Sequence, residues 1–181
     1  MYKTLFLDRD GVINRRIEGG YVTKTAEFEF LPGVPEALRN LSSRFGRIFI
    51  VTNQQGIGKG LFSMGDLEAV HRFMLGEIEK NGGRIDRIYT APNLAEENDP
   101  ARKPNIGMAV QAEKDFPEIR CETSVMAGDS LSDMQFGKNA GMCTVFLKNG
   151  ENVCSEVLPY ADFIFENLTD FTNNLNLINK N

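Results

Sequence analysis

Histidine, cysteine and long apolar segments are scarce in this sequence, and each shortage excludes a class of protein. His71 is the single histidine, so a Ser-His-Asp triad would have to use it. The three cysteines (Cys121, Cys143 and Cys154) share no Cys-x-x-Cys spacing, which indicates reduced thiols, most of them buried. No apolar run approaches the roughly 20 residues that cross a bilayer, and the N-terminal stretch, with lysine soon followed by aspartate, is not a signal peptide. We therefore expect a cytoplasmic protein with no membrane partner.

Positive charge is also in short supply. The chain carries a formal net charge of −5 and no block of lysine or arginine, so a general nucleic-acid partner is excluded. Its 181 residues, 41% of them hydrophobic and 25% charged, are enough to bury one core and are typical of a globular protein. We expect one domain over 1–181 that acts as a monomer.

Apolar runs alternate with helical patterns along the chain. Strands are predicted at 3–8, 47–53, 84–91, 123–129, 143–147 and 161–165. Helices are predicted at 32–46, 63–80, 104–116, 130–141 and 168–178. Ser63 and Asp66 form a capping-box pattern at the start of the second of these helices. Alternating strands and helices of this size predict an α/β fold, a doubly wound parallel sheet with helices on both faces.

Polar side chains follow several predicted strands, at the edge where parallel sheets of this kind bind their ligands. They are Asp8 and Asp10 after the first strand, Thr52 and Asn53 at the end of the second, Asp129 at the end of the fourth, and Lys103 in the loop that enters the third helix. Any one of them could be a solvated strand end or a helix cap, but all six converge on one edge of the sheet. The sequence therefore predicts a polar site there.

Asp8 and Asp10 lie two residues apart, so an extended chain presents both carboxylates on the same side. Carboxylates suit Mg²⁺, which binds one or two of them together with phosphate and water. Aspartate can also act as a nucleophile through an aspartyl-phosphate. Phosphoryl transfer needs mainly positioning and neutralisation of oxygen charge, which a metal and Lys103 would supply. The pair predicts a reaction in which one carboxylate attacks phosphorus and the other handles the leaving-group proton.

Four short segments resemble, in order and spacing, the motifs of the haloacid dehalogenase superfamily of phosphatases. They are "DRDG" (8–11), "VTNQQG" (51–56), "RKP" (102–104) and "GDSLSD" (128–133). The resemblance implies a Rossmann-like core and a magnesium-dependent phosphoric monoester hydrolase that works through an aspartyl-phosphate. The intact motifs argue against a non-catalytic phosphate-binding module, and the acidic charge argues against a DNA-end phosphatase.

The resemblance also implies roles for individual residues. Asp8 would be the nucleophile, and Asp10 would act first as general acid and then as general base. Thr52 would hydrogen-bond the transferring phosphoryl group, which Lys103 would neutralise. The implied magnesium ligands are the carboxylates of Asp8 and Asp129 and the backbone carbonyl of Asp10, with Asp133 supporting them from behind.

Within the superfamily, "GGYV" (19–22), "TNQQGIGKG" (52–60) and "NIGM" (105–108) are similar to phosphatases of small sugar bisphosphates of the heptose series, from which the 7-phosphate is removed. Histidinol-phosphate phosphatases share "TNQ" and "RKP", so they remain the alternative, with other small phosphomonoesters. Arg102 could grip a second phosphate with its planar guanidinium or could form a surface salt bridge. The implied substrate contacts are Glu18, Gly19, Gly20, Tyr21, Thr52, Asn53, Gln54, Gln55, Arg102 and Ser130.

One departure from this subgroup concerns a second metal. The subgroup usually binds zinc through a Cys-x-His pair and a Cys-x-Cys pair before "RKP". The matching positions here are Ala91, Asn93, Asp99 and Ala101. A structural zinc site needs about four thiolate or imidazole ligands, so no zinc is expected.

The remaining expectations concern the surroundings of the site. The segments between Asp10 and the first helix and between Asn53 and Arg102 are too short for a cap domain, so the site should be open and selective through short loops. "GIGKG" lacks the Lys-Ser/Thr ending of a phosphate-binding loop and is interpreted as a turn that places Lys59 near the rim. His71, beside polar neighbours, is predicted to be a solvated helix residue far from any strand end.

Overall fold

A computed structural model describes residues 2–178, and a parallel sheet of six strands runs through this part of the chain. The strands are Thr4–Leu7 (β1), Arg47–Asn53 (β2), Arg87–Ala91 (β3), Ser124–Gly128 (β4), Cys143–Leu147 (β5) and Phe163–Phe165 (β6). Their order is β3-β2-β1-β4-β5-β6. Every residue of β1, β4 and β5 is buried, as a parallel sheet covered on both faces requires.

Helices cover both faces of this sheet. They are Val34–Ser42 (α1), Gln55–Gly58 (α2), Met64–Lys80 (α3), Gly107–Asp115 (α4), Leu131–Asn139 (α5), Leu168–Asn173 (α6) and Leu175–Ile178 (α7). Because side chains of a strand alternate between faces, Leu5 and Leu7 join the core under α1, α3 and α6, whereas Phe6 joins the core under α4 and α5. The predicted α/β, doubly wound parallel fold is thus confirmed.

The predicted elements are present, but some are shorter than predicted: β3 begins at Arg87 instead of 84, and α1 spans Val34–Ser42 instead of 32–46. β2 and β5 have the predicted bounds, and α3 begins at the predicted capping box, in which the Asp66 amide donates to Ser63 Oγ at 3.1 Å. Two differences have local causes. The short helix α2 forms where a turn was predicted, because the Ile57 amide donates to the Gln54 carbonyl and starts a helical turn. The predicted last helix is divided at Asn174, whose Nδ2 donates to the Asp170 carbonyl at 2.9 Å and ends α6.

The carboxyl end of the sheet is open. Between β1 and α1, the only regular element of the described chain is a 3₁₀ turn, Thr25–Glu27, and α2 and α3 lie between β2 and β3. Neither connection holds a further domain, as predicted. No helix in residues 2–178 has the length and apolar character needed to cross a membrane.

Candidate active site

The loop after β1 begins the site, because the β1–β4 ladder continues into it. The amide of Asp8 donates to the Ala127 carbonyl at 3.1 Å, which fixes Asp8 beside the end of β4. Gly11 then turns the chain with φ +92°, a conformation that favours glycine. A Cβ on Gly11 would lie 1.8 Å from Asp129 Oδ2, so only glycine allows this loop to approach that carboxylate.

Lys103 is the buried cation of the site. Its Nζ donates to Asp8 Oδ1 at 2.7 Å, to Asp133 Oδ1 at 2.6 Å and to the Val51 carbonyl at 2.7 Å, which uses all three ammonium protons. Burial alone would lower the pKa of Lys103, but Asp133 and Asp8 outweigh it and raise the pKa. Lys103 is therefore charged, and it lies against Asp8 as the sequence predicted.

The carboxylates outnumber the cations around Asp8. Burial raises the pKa of Asp8 to about 6, and Asp133 adds to this rise while Lys103 opposes it. Burial and the nearby Asp8 and Asp133 likewise raise the pKa of Asp129 well above its usual range. Asp8, Asp129 and Asp133 each offer an oxygen, and the three oxygens lie within 4.8 Å of one another. Hard oxygen ligands with uncompensated negative charge fit Mg²⁺.

Asp133 is already engaged by protein donors. Its Oδ1 accepts from Lys103, and its Oδ2 accepts from the Ser130 amide at 3.0 Å and the Ser130 hydroxyl at 2.6 Å. The Ser130 hydroxyl in turn accepts from the Asp133 amide, which forms a capping box at the start of α5. Asp133 thus holds Lys103 and the start of α5, and its role in supporting the metal ligands stays a prediction.

Asp10 has a different electrostatic environment from Asp8. Arg9 Nη2 lies 2.7 Å from both carboxylate oxygens of Asp10, Asn14 Nδ2 donates to Oδ1 at 2.9 Å, and Gln54 Nε2 donates to Oδ2 at 2.8 Å. Burial would raise the pKa of Asp10, but Arg9 and the two amides outweigh burial and lower the pKa. The pKa is thus raised for Asp8 and lowered for Asp10, so the two carboxyl groups of the motif lose their protons at different pH.

His71 differs from its prediction. The side chain was expected to be solvated and far from the site, but it is buried, and its Nε2 lies 3.1 Å from Arg9 Nη1. Burial, together with the charge of Arg9, lowers the pKa of His71 to about 4. A neutral ring can accept a hydrogen bond from Arg9. The inner face of α3 therefore reaches the site, because the fully buried Arg9 needs polar partners.

A cavity of about 580 Å³ opens beside Asp8. Most of the predicted catalytic and substrate residues line it, namely Asp8, Asp10, Gly19, Gly20, Tyr21, Thr52, Asn53, Gln55, Arg102, Lys103 and Ser130. Lys59 also lines the cavity, as its predicted position at the rim implies. Sequence reasoning did not find Arg16, Ile17, Leu61 and Ser132, which complete the wall.

Two predicted substrate contacts lie away from this cavity. Glu18 is exposed and does not line it. Gln54 is fully buried beneath the cavity, where its Nε2 donates to Asp10 Oδ2 and to Thr52 Oγ1, each at 2.8 Å. Because Thr52 Oγ1 accepts this bond, its own hydroxyl proton can point into the cavity. Gln54 thus positions Asp10 and Thr52 instead of touching a ligand.

Comparison with known proteins gives the family. The HAD-hydrolase-like family model matches residues 100–171. A D-glycero-alpha-D-manno-heptose-1,7-bisphosphate 7-phosphatase of Campylobacter jejuni is 40% identical over 173 residues, covering 94% of both chains. The chain belongs to the haloacid dehalogenase superfamily. Like its relatives, it is a phosphoric monoester hydrolase.

Two further members of the superfamily are similar over almost the whole chain. A D-glycero-beta-D-manno-heptose-1,7-bisphosphate 7-phosphatase of Pasteurella multocida is 35% identical and covers 94% of this chain and 95% of its own. The crystal structure of D,D-heptose 1,7-bisphosphate phosphatase from B. bronchiseptica, complexed with magnesium and phosphate, matches with a TM-score of 0.85 at 27% identity. That match covers 97% of this chain and 99% of the crystallised one. Haloacid dehalogenase phosphatases are magnesium-dependent.

Proposed function

We propose that this protein removes the 7-phosphate of D-glycero-D-manno-heptose 1,7-bisphosphate through an aspartyl-phosphate. The observation that carries the proposal is one cavity with a buried Asp8–Lys103 pair at its floor and further cations, Lys59 and Arg102, in its wall. The Asp8–Lys103 pair suits the phosphate that reacts. Lys59 and Arg102 in the wall suit a second phosphate on the same small molecule. Relatives named for this substrate support the choice.

Asp8 attacks phosphorus in the first step. Lys103 holds Oδ1 of Asp8 at 2.7 Å, so Oδ2 is the oxygen available for attack. The bond from Asp8 oxygen to phosphorus forms as the bond from phosphorus to the C7 oxygen breaks. Lys103 and the hydroxyl proton of Thr52 neutralise charge on the phosphoryl oxygens. The product of this step is an aspartyl-phosphate and the heptose alcohol, once the leaving oxygen has gained a proton.

Asp10 transfers that proton. Since Arg9, Asn14 and Gln54 hold Asp10 as a carboxylate, the proton must arrive with the substrate, whose phosphate has a second pKa of about 6. Asp10 passes it to the leaving oxygen and is again a carboxylate. In the second step Asp10 accepts a proton from water, the water oxygen bonds to phosphorus, and the bond to Asp8 breaks. Asp10 then passes its proton to the released phosphate, so both aspartates are again carboxylates.

Magnesium fits this site by the chemistry of its donors. Asp8, Asp129 and the backbone carbonyl of Asp10 would hold the ion, and its charge would stabilise the ionised carboxylates against the burial that mainly raises the pKa of Asp8 and Asp129. When bound, Mg²⁺ supplies positive charge for the phosphoryl oxygens. Asp133, occupied by Lys103 and Ser130, supports these ligands.

The substrate assignment is tested with a panel of purified phosphomonoesters, with released phosphate as the readout. It should contain both anomers of the heptose bisphosphate, the heptose 7-phosphate and histidinol phosphate. The highest kcat/KM is expected for a heptose 1,7-bisphosphate, with heptose 1-phosphate as the product. A higher kcat/KM for histidinol phosphate would instead identify the protein as a histidinol-phosphate phosphatase. Release of phosphate from no member of the panel would favour a binding module.

Arg102→Ala is expected to reduce kcat/KM for the bisphosphate by about 10²-fold and for the 7-monophosphate by much less. Arg102 is half-buried in the cavity wall, and its Nη1 donates to the Asn93 carbonyl at 3.3 Å. Among the described residues Arg102 has no carboxylate partner within 4.0 Å, so its positive charge is free to bind the second phosphate. Steady-state kinetics on the two substrates measure the ratio.

Two variants complete that comparison. Arg44→Ala is the matched control, because Arg44 is exposed just after α1, at the amino end of the sheet and therefore opposite the site. Arg102→Lys should not restore the ratio, since an ammonium lacks the planar two-point contact. Equal losses on both substrates for Arg102→Ala would mean that Arg102 does not recognise the second phosphate.

The protein is expected to contain no stoichiometric zinc and to require Mg²⁺. The loop positions that bind zinc in the related subgroup have hydrogen-bonding roles here. Asn93 Nδ2 donates to Glu97 Oε2 at 2.9 Å, and Asp99 Oδ1 accepts from the Ala101 amide at 2.7 Å. Elemental analysis after purification without added metal measures the zinc content, and readdition of Mg²⁺ after chelation should restore turnover. About one zinc per chain would overturn this expectation.

A further inference from the structure

The guanidinium of Arg16 lies against two of the proposed magnesium ligands. Its Nη2 donates to Asp129 Oδ1 at 2.9 Å and to the backbone carbonyl of Asp10 at 3.1 Å. The Arg16 side chain is 52% exposed, whereas the Asp129 side chain is only 13% exposed. A single nitrogen on a long, largely solvated arm therefore bridges two oxygens that belong to a more buried site.

The local charge balance explains why an arginine lies there. Four carboxylates meet at this edge, namely those of Asp8, Asp10, Asp129 and Asp133. Lys103 compensates Asp8 and Asp133, and Arg9 compensates Asp10. Arg16 is the ion-pair partner of Asp129. Without Arg16, Asp129 would be a largely buried carboxylate beside two others, which is an unfavourable arrangement in a poorly solvated site.

We propose that Arg16 is a tethered counter-cation that competes with Mg²⁺ for the Asp129 carboxylate and the Asp10 carbonyl. The ion needs these oxygens at about 2.0–2.1 Å in a near-octahedral shell, and a guanidinium nitrogen bridging the same pair obstructs that shell. The two positive charges also repel each other at this distance. Arg16 must therefore turn away when the ion binds, and its exposed arm gives it room to do so. This inference rests on the proposed magnesium site.

Calorimetric titration of the chelator-treated protein with Mg²⁺ alone tests the competition. Arg16→Gln removes the competing cation, so Mg²⁺ is expected to bind at least about tenfold more tightly than to the wild type. Arg15→Gln is the matched control, because Arg15 is the neighbouring residue, carries the same charge, and pairs with the exposed Glu29 at 3.0 Å. The affinity of the Arg15→Gln variant for Mg²⁺ should equal that of the wild type. Arg16→Lys keeps the charge but carries it on a shorter side chain, which should reach the two oxygens less well, so its Mg²⁺ affinity should be intermediate.

Thermal unfolding gives a second, independent readout. In chelator, Arg16→Gln should melt several degrees below the wild type, because Asp129 has lost its partner, and excess Mg²⁺ should remove this difference. Equal or weaker Mg²⁺ binding by Arg16→Gln, relative to Arg15→Gln, would overturn the inference while leaving the metal site in place. If Arg16→Gln does not fold, unchanged Mg²⁺ affinity in Arg16→Lys would overturn it. Failure of both the wild type and Arg16→Gln to bind Mg²⁺ would reject both the inference and the proposed metal site.

Discussion

Asp8→Asn is expected to lower kcat by at least about 10⁴-fold, the scale seen when a covalent nucleophile is removed. Asparagine keeps the size of the side chain and can still accept the hydrogen bond from Lys103, but it has no anionic oxygen to attack phosphorus. Steady-state phosphate release with saturating Mg²⁺ measures the loss. Acid quenching of the wild type during turnover should trap a phosphorylated chain that the variant does not form.

The same substitution should not weaken the fold. The pKa of Asp8 is raised to about 6 in the folded protein, so the fold binds the proton more tightly than the unfolded chain does. Stability from this group is present at low pH and is lost as the pH rises from about 4 to about 6. At pH 7 the ionised Asp8 therefore opposes folding, and Asp8→Asn should melt at the same temperature as the chelated wild type or higher.

Asp86→Asn is expected to have the opposite effects to Asp8→Asn: a loss of stability without a loss of turnover. The Asp86 side chain is 8% exposed at the other edge of the sheet, where it accepts from the Ile48 amide, Arg47 and Arg84. These bonds outweigh burial and lower the pKa of Asp86. Its loss should reduce stability and leave kcat near the wild-type value. Near-normal turnover of Asp8→Asn with Mg²⁺ present would remove Asp8 from the role of nucleophile.

Lys103→Met is expected to damage both stability and catalysis. The substitution leaves the carboxylates of Asp8 and Asp133 buried without their shared cation, and the Val51 carbonyl loses its donor. Removing one partner of a buried ion pair costs about 3–5 kcal/mol. For a chain of this length that corresponds to a melting temperature lower by roughly 10 °C in chelator. Turnover should fall by at least about 10³-fold, because the transferring phosphoryl group loses a fixed positive charge.

Lys59→Met is the matched control for this experiment. Lys59 lines the same cavity and carries the same charge, but it is exposed. It should reduce the affinity for the bisphosphate without a large change in melting temperature. Mg²⁺ should recover part of the stability of Lys103→Met, because the ion compensates Asp8. A melting temperature of Lys103→Met equal to that of Lys59→Met would show that Lys103 does not hold the buried carboxylates together.

The parts of the molecule that sequence patterns predicted are those determined by short-range chemistry. Apolar runs identified the strands, and Ser63 with Asp66 identified the start of α3, because a capping box involves only a few neighbouring residues. The polar strand ends identified Asp8 and Thr52, and the loop that enters α4 identified Lys103, since strand order and parallel direction bring these residues to one edge.

The residues that were missed act through contacts between segments far apart in the sequence. The sequence patterns assigned no role to Arg9, and only the packing of α3 shows why it is fully buried. The surface prediction for His71 relied on polar neighbours in the chain, which say nothing about the loop on the other side of the ring. Arg16 reaches Asp129 across 113 positions, and no local pattern encodes such a contact.

The contact between Arg9 and His71 has a consequence for how such a chain can change over many generations. These residues are 62 positions apart, yet each is the buried polar partner of the other, and Arg9 also grips Asp10. A substitution at either position alone would change the surroundings of Asp10, the proposed proton-transfer group, although neither side chain lines the cavity. Lineages that replace one of them are therefore expected to replace the other as well. The inner face of α3 should drift more slowly than its packing alone would require.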